Sequence, residues 1–453
     1  MNRRDPSVDQ TKGLELELST KRTELTNPTT PIWTLPTETL TEIFNIAHRS
    51  NLYRRTSVPL LISHVCHRFR EITAHTPLLW ADICFGYGCI RSRELLELYL
   101  SRSHGYPLDI ELCIIASRPF DPVTELLPIL QRHVARWRRF SVISGDAYWS
   151  YGPMMEALRS LYAPRLEVLE LSVEWDFDYE GGFSNGILSG GTPVLSSVRL
   201  MGISLATGYP SLTSVTHLTI GCVGEPVQMP YRVVQCALTT ASSLVKLVIW
   251  EDMHICIGDD KIDEPISIPS LLSFEILCFG RAGRLLPRTL SLIAAPNLES
   301  LSLDMPGKDH IPSLTAAVKV YPISQRFPRL TNITLWLVKG SGKDIDDGLT
   351  DIYTAIPGVT DLRTAVGKSP ATLRSLIASE GLVHLPKLQS ICVRQLWDKQ
   401  YLELICQVIS SRRRAGCPVA RLGVPVSFLQ DTPGDRLRWI RDQVQLDALD
   451  AQV

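Results

Sequence analysis

A pattern of apolar–x–x–apolar–x–apolar recurs along most of the chain and limits its fold more than any other feature. It reads Leu166-Leu169-Leu171, Leu195-Val198-Leu200, Val215-Leu218-Ile220 and Leu244-Leu247-Ile249. It continues through Leu271-Phe274-Ile276, Leu298-Leu301-Leu303, Leu330-Ile333-Leu335, Val359-Leu362 and Leu388-Ile391-Val393. First positions lie about 27 to 32 residues apart, with one shorter step of about 20 on reaching Val215. Trp137-Phe140-Val142 and Leu108-Asp109-Ile110-Glu111-Leu112 carry the phase backwards, and Leu422-Val424 carries it forwards. Alternation within each unit has the period of a half-buried strand. A unit this short cannot bury its own apolar face, so neighbours must stack and share a core.

Helical spacing fills the intervals. Asp121 is placed as an N-cap and Pro122 at the first helical position, with Val123, Leu126, Leu127, Leu130 and Val134 following. Many units open on a proline, as in Ala163-Pro164-Arg165-Leu166, Ala295-Pro296-Asn297-Leu298 and Leu385-Pro386-Lys387-Leu388. One strand and one helix at a period of about 28 residues resemble leucine-rich repeats. The Asn or Cys that usually follows the strand in that family is mostly absent, so the repeats are degenerate. The resemblance implies an α/β solenoid over residues 83–430, with parallel strands on a concave face and helices on the convex one. The short step at Val215 predicts a unit without a full helix. Leu437, Ile440 and Val444 predict an amphipathic helix within 431–453 that caps the open end.

The ladder does not reach the N-terminal region, where residues 31–44 read PIWTLPTETLTEIF. Pro36 suits a first helical position, Glu38 faces the positive helix end, and Leu40, Ile43, Phe44 and Ala47 fall on one face. A polar, basic connector over 48–55 leads to Ser57 as N-cap and Pro59 just inside a second helical pattern. Leu61, Val65, Phe69 and Ile72 form its stripe, with Ile62 and Cys66 alongside, and Pro77-Leu78-Leu79-Trp80 closes the unit. Two or three short helices in about 50 residues fall below the size that supports an independent core, so a partner is expected.

These three blocks, in this order and spacing, resemble an F-box, and Pro77-Leu78-Leu79-Trp80 resembles the ending of the long variant common in mushroom-forming fungi. Phe69 stands where Trp is commonest, and Thr39 where an apolar residue is frequent. The resemblance implies an F-box-like domain at 31–82 that docks the Skp-family adaptor of an SCF-type cullin-RING ubiquitin ligase. The docking candidates are Leu35, Pro36, Leu40, Ile43, Val65, Phe69 and Trp80, some of which must pack the domain's own core. Residues 1–30 are expected to form a disordered or helical tail.

No enzymatic constellation accompanies these modules. Gly182-Phe183-Ser184-Asn185-Gly186 matches a nucleophile-elbow pattern but lacks the strand and helix the strained turn requires. Gly342-Lys343-Asp344 and Gly367-Lys368-Ser369 lack the earlier glycine of a phosphate loop, having Leu337 and Leu362 there. His64 and Cys66 point to different faces of one helix, which argues against a metal site with His67. Arg412-Arg413-Arg414 reads as a solvated helix end. No cofactor is expected. The 11 cysteines contain no C-x-x-C, and the formal net charge of −1 gives no reason to expect nucleic acid or an anionic membrane. The N-terminus lacks the apolar stretch of a secretory signal, and no apolar run approaches the about 18 residues of a membrane span. A cytoplasmic or nuclear chain with reduced thiols is expected.

If the repeats are strands, the position after the third apolar residue faces the concave surface. It is occupied by Met201, Gly221, Trp250, Leu277, Asp304 and Trp336 in turn. Trp250, Leu277, Asp304 and Trp336 then form a candidate site for a protein target. An acid between two aromatic faces suits a positively charged segment. Asp176, Asp178 and Glu180, then Asp259, Asp260, Asp263 and Glu264, add acidic loops. The expectation is therefore a substrate-recognition adaptor. The alternative is a leucine-rich-repeat binding scaffold with no ubiquitin role, its N-terminal helices serving only as a cap.

Overall fold

The structure is a computed structural model that describes residues 31–50, 57–85, 90, 92–114, 122–144, 151–173, 186–205, 208–221, 227–250, 253–256, 265–277, 286–305, 310–320, 322–337, 343–365, 370–378, 382–394 and 400–449. The expected tail at 1–30, residues 51–55 of the basic connector, the elbow-like residues 182–185, Gly367-Lys368-Ser369 and both acidic loops lie outside the described residues. The chain divides into two compact units, Met1–Tyr106 and Pro107–Val453.

The first unit is built on helices Pro31–Thr34, Thr37–Ser50, Val58–Ser63 and His67–Ala74, followed by a 3-10 turn at Pro77–Trp80. A strand, β1 (Asp82–Phe85), and helix Arg93–Arg102 complete it. The Pro36 carbonyl accepts from Leu40 N at 3.1 Å, so Pro36 is the residue that caps the helix, one position before the first helical residue Thr37. Cys66 is a helix cap: its Sγ accepts from Phe69 N at 3.4 Å. The core is small and aromatic. Phe44 meets Phe69 edge-on at 5.0 Å, Trp33 lies 5.5 Å from Phe69, and Leu40, Ile72, Leu79 and Trp80 are buried around them. Trp80 Nε1 donates to Thr73 O at 2.7 Å. Its ring is sealed by Tyr99 at 4.9 Å and by the Arg102 guanidinium at 4.4 Å. Helix Arg93–Arg102 is thus part of this core, which carries the unit past the expected boundary at residue 82 to Tyr106.

In the second unit every rung of the ladder is a strand: β2 (Leu108–Ile114), β3 (Trp137–Ser144), β4 (Val168–Val173), β5 (Ser197–Met201) and β6 (His217–Gly221). After β7 (Val227–Pro230) come β8 (Lys246–Trp250), β9 (Met253–Cys256), β10 (Ile266–Ser267), β11 (Ser273–Leu277), β12 (Ile293–Ala294) and β13 (Ser300–Met305). The series ends with β14 (Asn332–Leu337), β15 (Asp361–Ala365), β16 (Ser390–Arg394), β17 (Arg421–Pro425) and β18 (Gln445–Leu449). The long parallel sheet runs β2-β3-β4-β5-β6-β8-β11-β13-β14-β15-β16-β17-β18, while β7 pairs with β9 and β10 with β12 in two minor parallel sheets. Helices including Pro122–Gln131, His310–Val320, Lys343–Ala355 and Gln400–Arg414 lie between successive strands. The described residues between β5 and β6 contain no α-helix, matching the short step there.

Alternation puts the second and fourth strand positions into the core. Leu247 pairs with Phe274, then Leu301, Ile333, Leu362 and Ile391, and all are buried. Thr364 replaces the aliphatic residue in the parallel row, and it too is fully buried.

Two sequence expectations change here. Arg412 is not solvated: it is completely buried, and its fork donates to His384 O at 2.8 Å and Leu385 O at 2.7 Å. Those carbonyls belong to the turn entering β16, where Leu385 has a left-handed φ of 49°. Burial pushes the Arg412 guanidinium below its ordinary range. Arg326 repeats the device on Ser291 O and Ile293 O. The chain also does not end on a capping helix alone. Helix Gly434–Gln443, with Ile440 buried, runs into β18, which pairs in parallel with β17 and forms the last edge of the sheet.

Candidate functional site

Each unit presents one surface of interest. In the first, helix Thr37–Ser50 buries Leu40, Phe44 and His48, one residue per turn. Histidine fills an apolar slot because its Nε2 meets Asp82 Oδ2 at 2.7 Å. That choice turns Ile43 outward to 40% exposure, together with Ile46 at 54% and Ala47. Leu61 and Val65 are exposed at 63% and 61%. The seven docking candidates therefore separate. Pro36, Ile43 and Val65 are on the surface and Leu35 is half-buried, whereas Leu40, Phe69 and Trp80 are core residues with no surface to offer a partner. Ile32, Ile46 and Leu61 join the exposed set. The sequence pattern put Leu61 on the second stripe but could not show that the helix carrying it ends at Ser63. The entry turn is tied down by Arg68, which donates to Trp33 O at 2.7 Å and Leu35 O at 2.6 Å.

In the second unit, Trp250, Leu277, Asp304 and Trp336 occupy one row of the sheet, paired strand to strand, and Ala365 and Arg394 continue it. All four candidates are half-buried. Each indole already faces a cation of the chain itself. The Arg199 guanidinium lies 5.5 Å from the Trp250 ring centre, and that of Arg394 lies 5.5 Å from the Trp336 ring centre. A small residue on the intervening strand permits each contact. A Cβ on Gly221 of β6 would collide with Cβ of Trp250, and Ala365 of β15 separates Trp336 from Arg394. Of the neighbouring positions, Met201 and Gly221 are buried. The sequence placed Arg199 and Arg394 on strands, but their reach across a neighbour appears only when the strands are in register.

Charges elsewhere on this face are paired between strands. Arg139 meets Glu170 at 2.8 Å and Lys246 meets Glu275 at 3.3 Å. Cys392 lies among Arg363 and Arg394; burial pushes its thiol up, and the two guanidiniums oppose that shift. Among the described residues, no group of three His, Cys, Asp or Glu side chains could hold a metal ion, and no helix is long and apolar enough to cross a membrane. Comparison with known proteins finds no matching family model and no matching curated protein.

Proposed function

We propose that the chain is a substrate-recognition adaptor of an SCF-type cullin-RING ubiquitin ligase. In this reading the first unit is an F-box-like domain docking a Skp-family adaptor, and the second is a degenerate leucine-rich-repeat domain holding a protein target. The observation that carries it is the division within the first unit. Its few large side chains close an aromatic core, and Ile43, Ile46, Leu61 and Val65 remain outside. Such residues on a unit this small are what a partner helix would cover. On the sheet, Trp250, Leu277, Asp304 and Trp336 supply the target-facing row, where Asp304 suits a basic side chain. The reading places the protein in the cytoplasm or nucleus.

The test uses the full chain with a purified Skp-family adaptor. Val65→Glu with Leu61→Glu should abolish a complex that the wild type forms at low micromolar affinity or better, and should leave the thermal midpoint unchanged. Absence of binding by the folded wild type would favour the scaffold alternative with no ligase role.

A further inference from the structure

The sheet face carries its charges unevenly. On β3–β4 and β8–β11 each cation in the outward rows has a carboxylate on the adjacent strand, as with Arg139–Glu170 and Lys246–Glu275. On β15 and β16 this stops. Arg363 and Arg394 are both exposed, and neither meets a carboxylate among the described residues. Asp361, two residues before Arg363 on the same strand, accepts instead from the Thr360 hydroxyl at 2.7 Å. Arg363 pairs in register with Cys392, and Arg394 lies two residues beyond Cys392. The two guanidinium-bearing positions are therefore about 8 Å apart on a diagonal, close to the about 7 Å between alternate side chains of an extended peptide. Trp336 lies against Arg394 and provides an apolar floor beside them. Arg421 adds a third exposed cation on β17, in the row that includes Asp361 and Ser390.

We propose that β14–β16 form a docking site for an acidic, extended segment of a partner protein. Arg363 and Arg394 would take carboxylates at alternate positions of that segment, and Trp336 would pack the residue between them. The proposal rests on the reading that this sheet face binds a protein, and it adds the sign of the charge at one end of the row. Asp304, on β13, borders Trp336 on the side away from the arginines, two strands from Arg363, so the cation preference inferred from it applies to that side of the indole. Bidentate guanidinium–carboxylate pairing selects Asp or Glu side chains in a way that a point charge does not.

The experiment is fluorescence anisotropy on the full chain with short labelled peptides alternating Ser with Glu, Ser with Lys, or Ser with phosphoserine. The Glu peptide should bind, and Arg363→Ala with Arg394→Ala should weaken it about tenfold or more. Arg139→Ala, a cation on β3 paired with Glu170 at the other end of the sheet, should leave it unchanged, and Arg363→Lys with Arg394→Lys should restore it only in part. No binding of the Glu peptide by the wild type, or equal binding by the double alanine variant, overturns the proposal. Binding of the phosphoserine peptide alone also overturns it and makes the occupant a phosphorylated segment. Skp-family adaptor binding and an Asp304-dependent Lys-peptide signal are read on the same preparations. Either can persist when the Glu arm fails, so failure here is distinguishable from failure of the ligase or target-binding reading.

Discussion

Arg412 shows how one side chain decides a turn. Its two hydrogen bonds hold the His384 and Leu385 carbonyls in a site with no exposure. Replacing it by Met removes the Arg412 donor from the His384 carbonyl and leaves Leu385 O with Leu388 N alone, at 3.0 Å, so Arg412→Met should cost about 1–3 kcal/mol in a urea titration. Lysine should not recover this, since a single ammonium lacks the planar fork. An unchanged midpoint would show that the turn stands without its staple. Gly221 is the second such residue. It is buried against Trp250, and alanine there would push the indole off β6. Gly221→Ala should destabilise by about 1–3 kcal/mol and shift tryptophan emission; unaltered emission would place the ring elsewhere.

Among the elements, the C-terminal pair of helix Gly434–Gln443 and β18 has the clearest role. Leu422 and Val424 of β17 are buried, and β18 covers the strand's open hydrogen-bonding edge. Without it a flat apolar edge would face solvent, which is a template for pairing between chains. Truncation before Gly434 should therefore move the protein from monomer to aggregate in size-exclusion chromatography with light scattering. A monomeric truncated chain would show that β17 tolerates exposure. The same edge strand was hard to read in advance. Only Leu446 and Leu449 of its residues are not exposed, so its alternation is too weak to separate it from the end of a helix.

For the molecule as a whole, the pH response follows from a buried imidazole, His384, and a half-buried one, His133. Burial, reinforced by Arg412, lowers the pKa of His384; burial, then Arg136 and Arg132, lowers that of His133. In the unfolded chain both titrate at about 6.5. The unfolded state therefore takes up protons first as pH falls, and stability present above about 6.5 is lost as pH drops through the folded values. The thermal midpoint should fall between pH 7 and 5, and His133→Gln with His384→Gln should flatten that slope. An identical slope in the double variant would assign the acid sensitivity to other groups.

What the sequence determined by itself was local and periodic. The two-residue alternation, repeated at a near-constant interval, specified each main rung from Leu108–Ile114 to Arg421–Pro425, because a strand with one buried face has a single workable register. Proline and cap positions likewise marked helix starts such as Thr37 and Pro122. Tertiary structure decided which members of a stripe were sealed. Leu40 and Ile43 have the same chemistry and helical face in the sequence, yet His48 pairing with Asp82 rotates the face so that only Leu40 is covered. The Arg199–Trp250 and Trp336–Arg394 contacts were also invisible. Each joins residues on strands two apart in the sheet, and depends on a small side chain between them. Periodicity states which way a residue points; only packing in three dimensions states what it meets there.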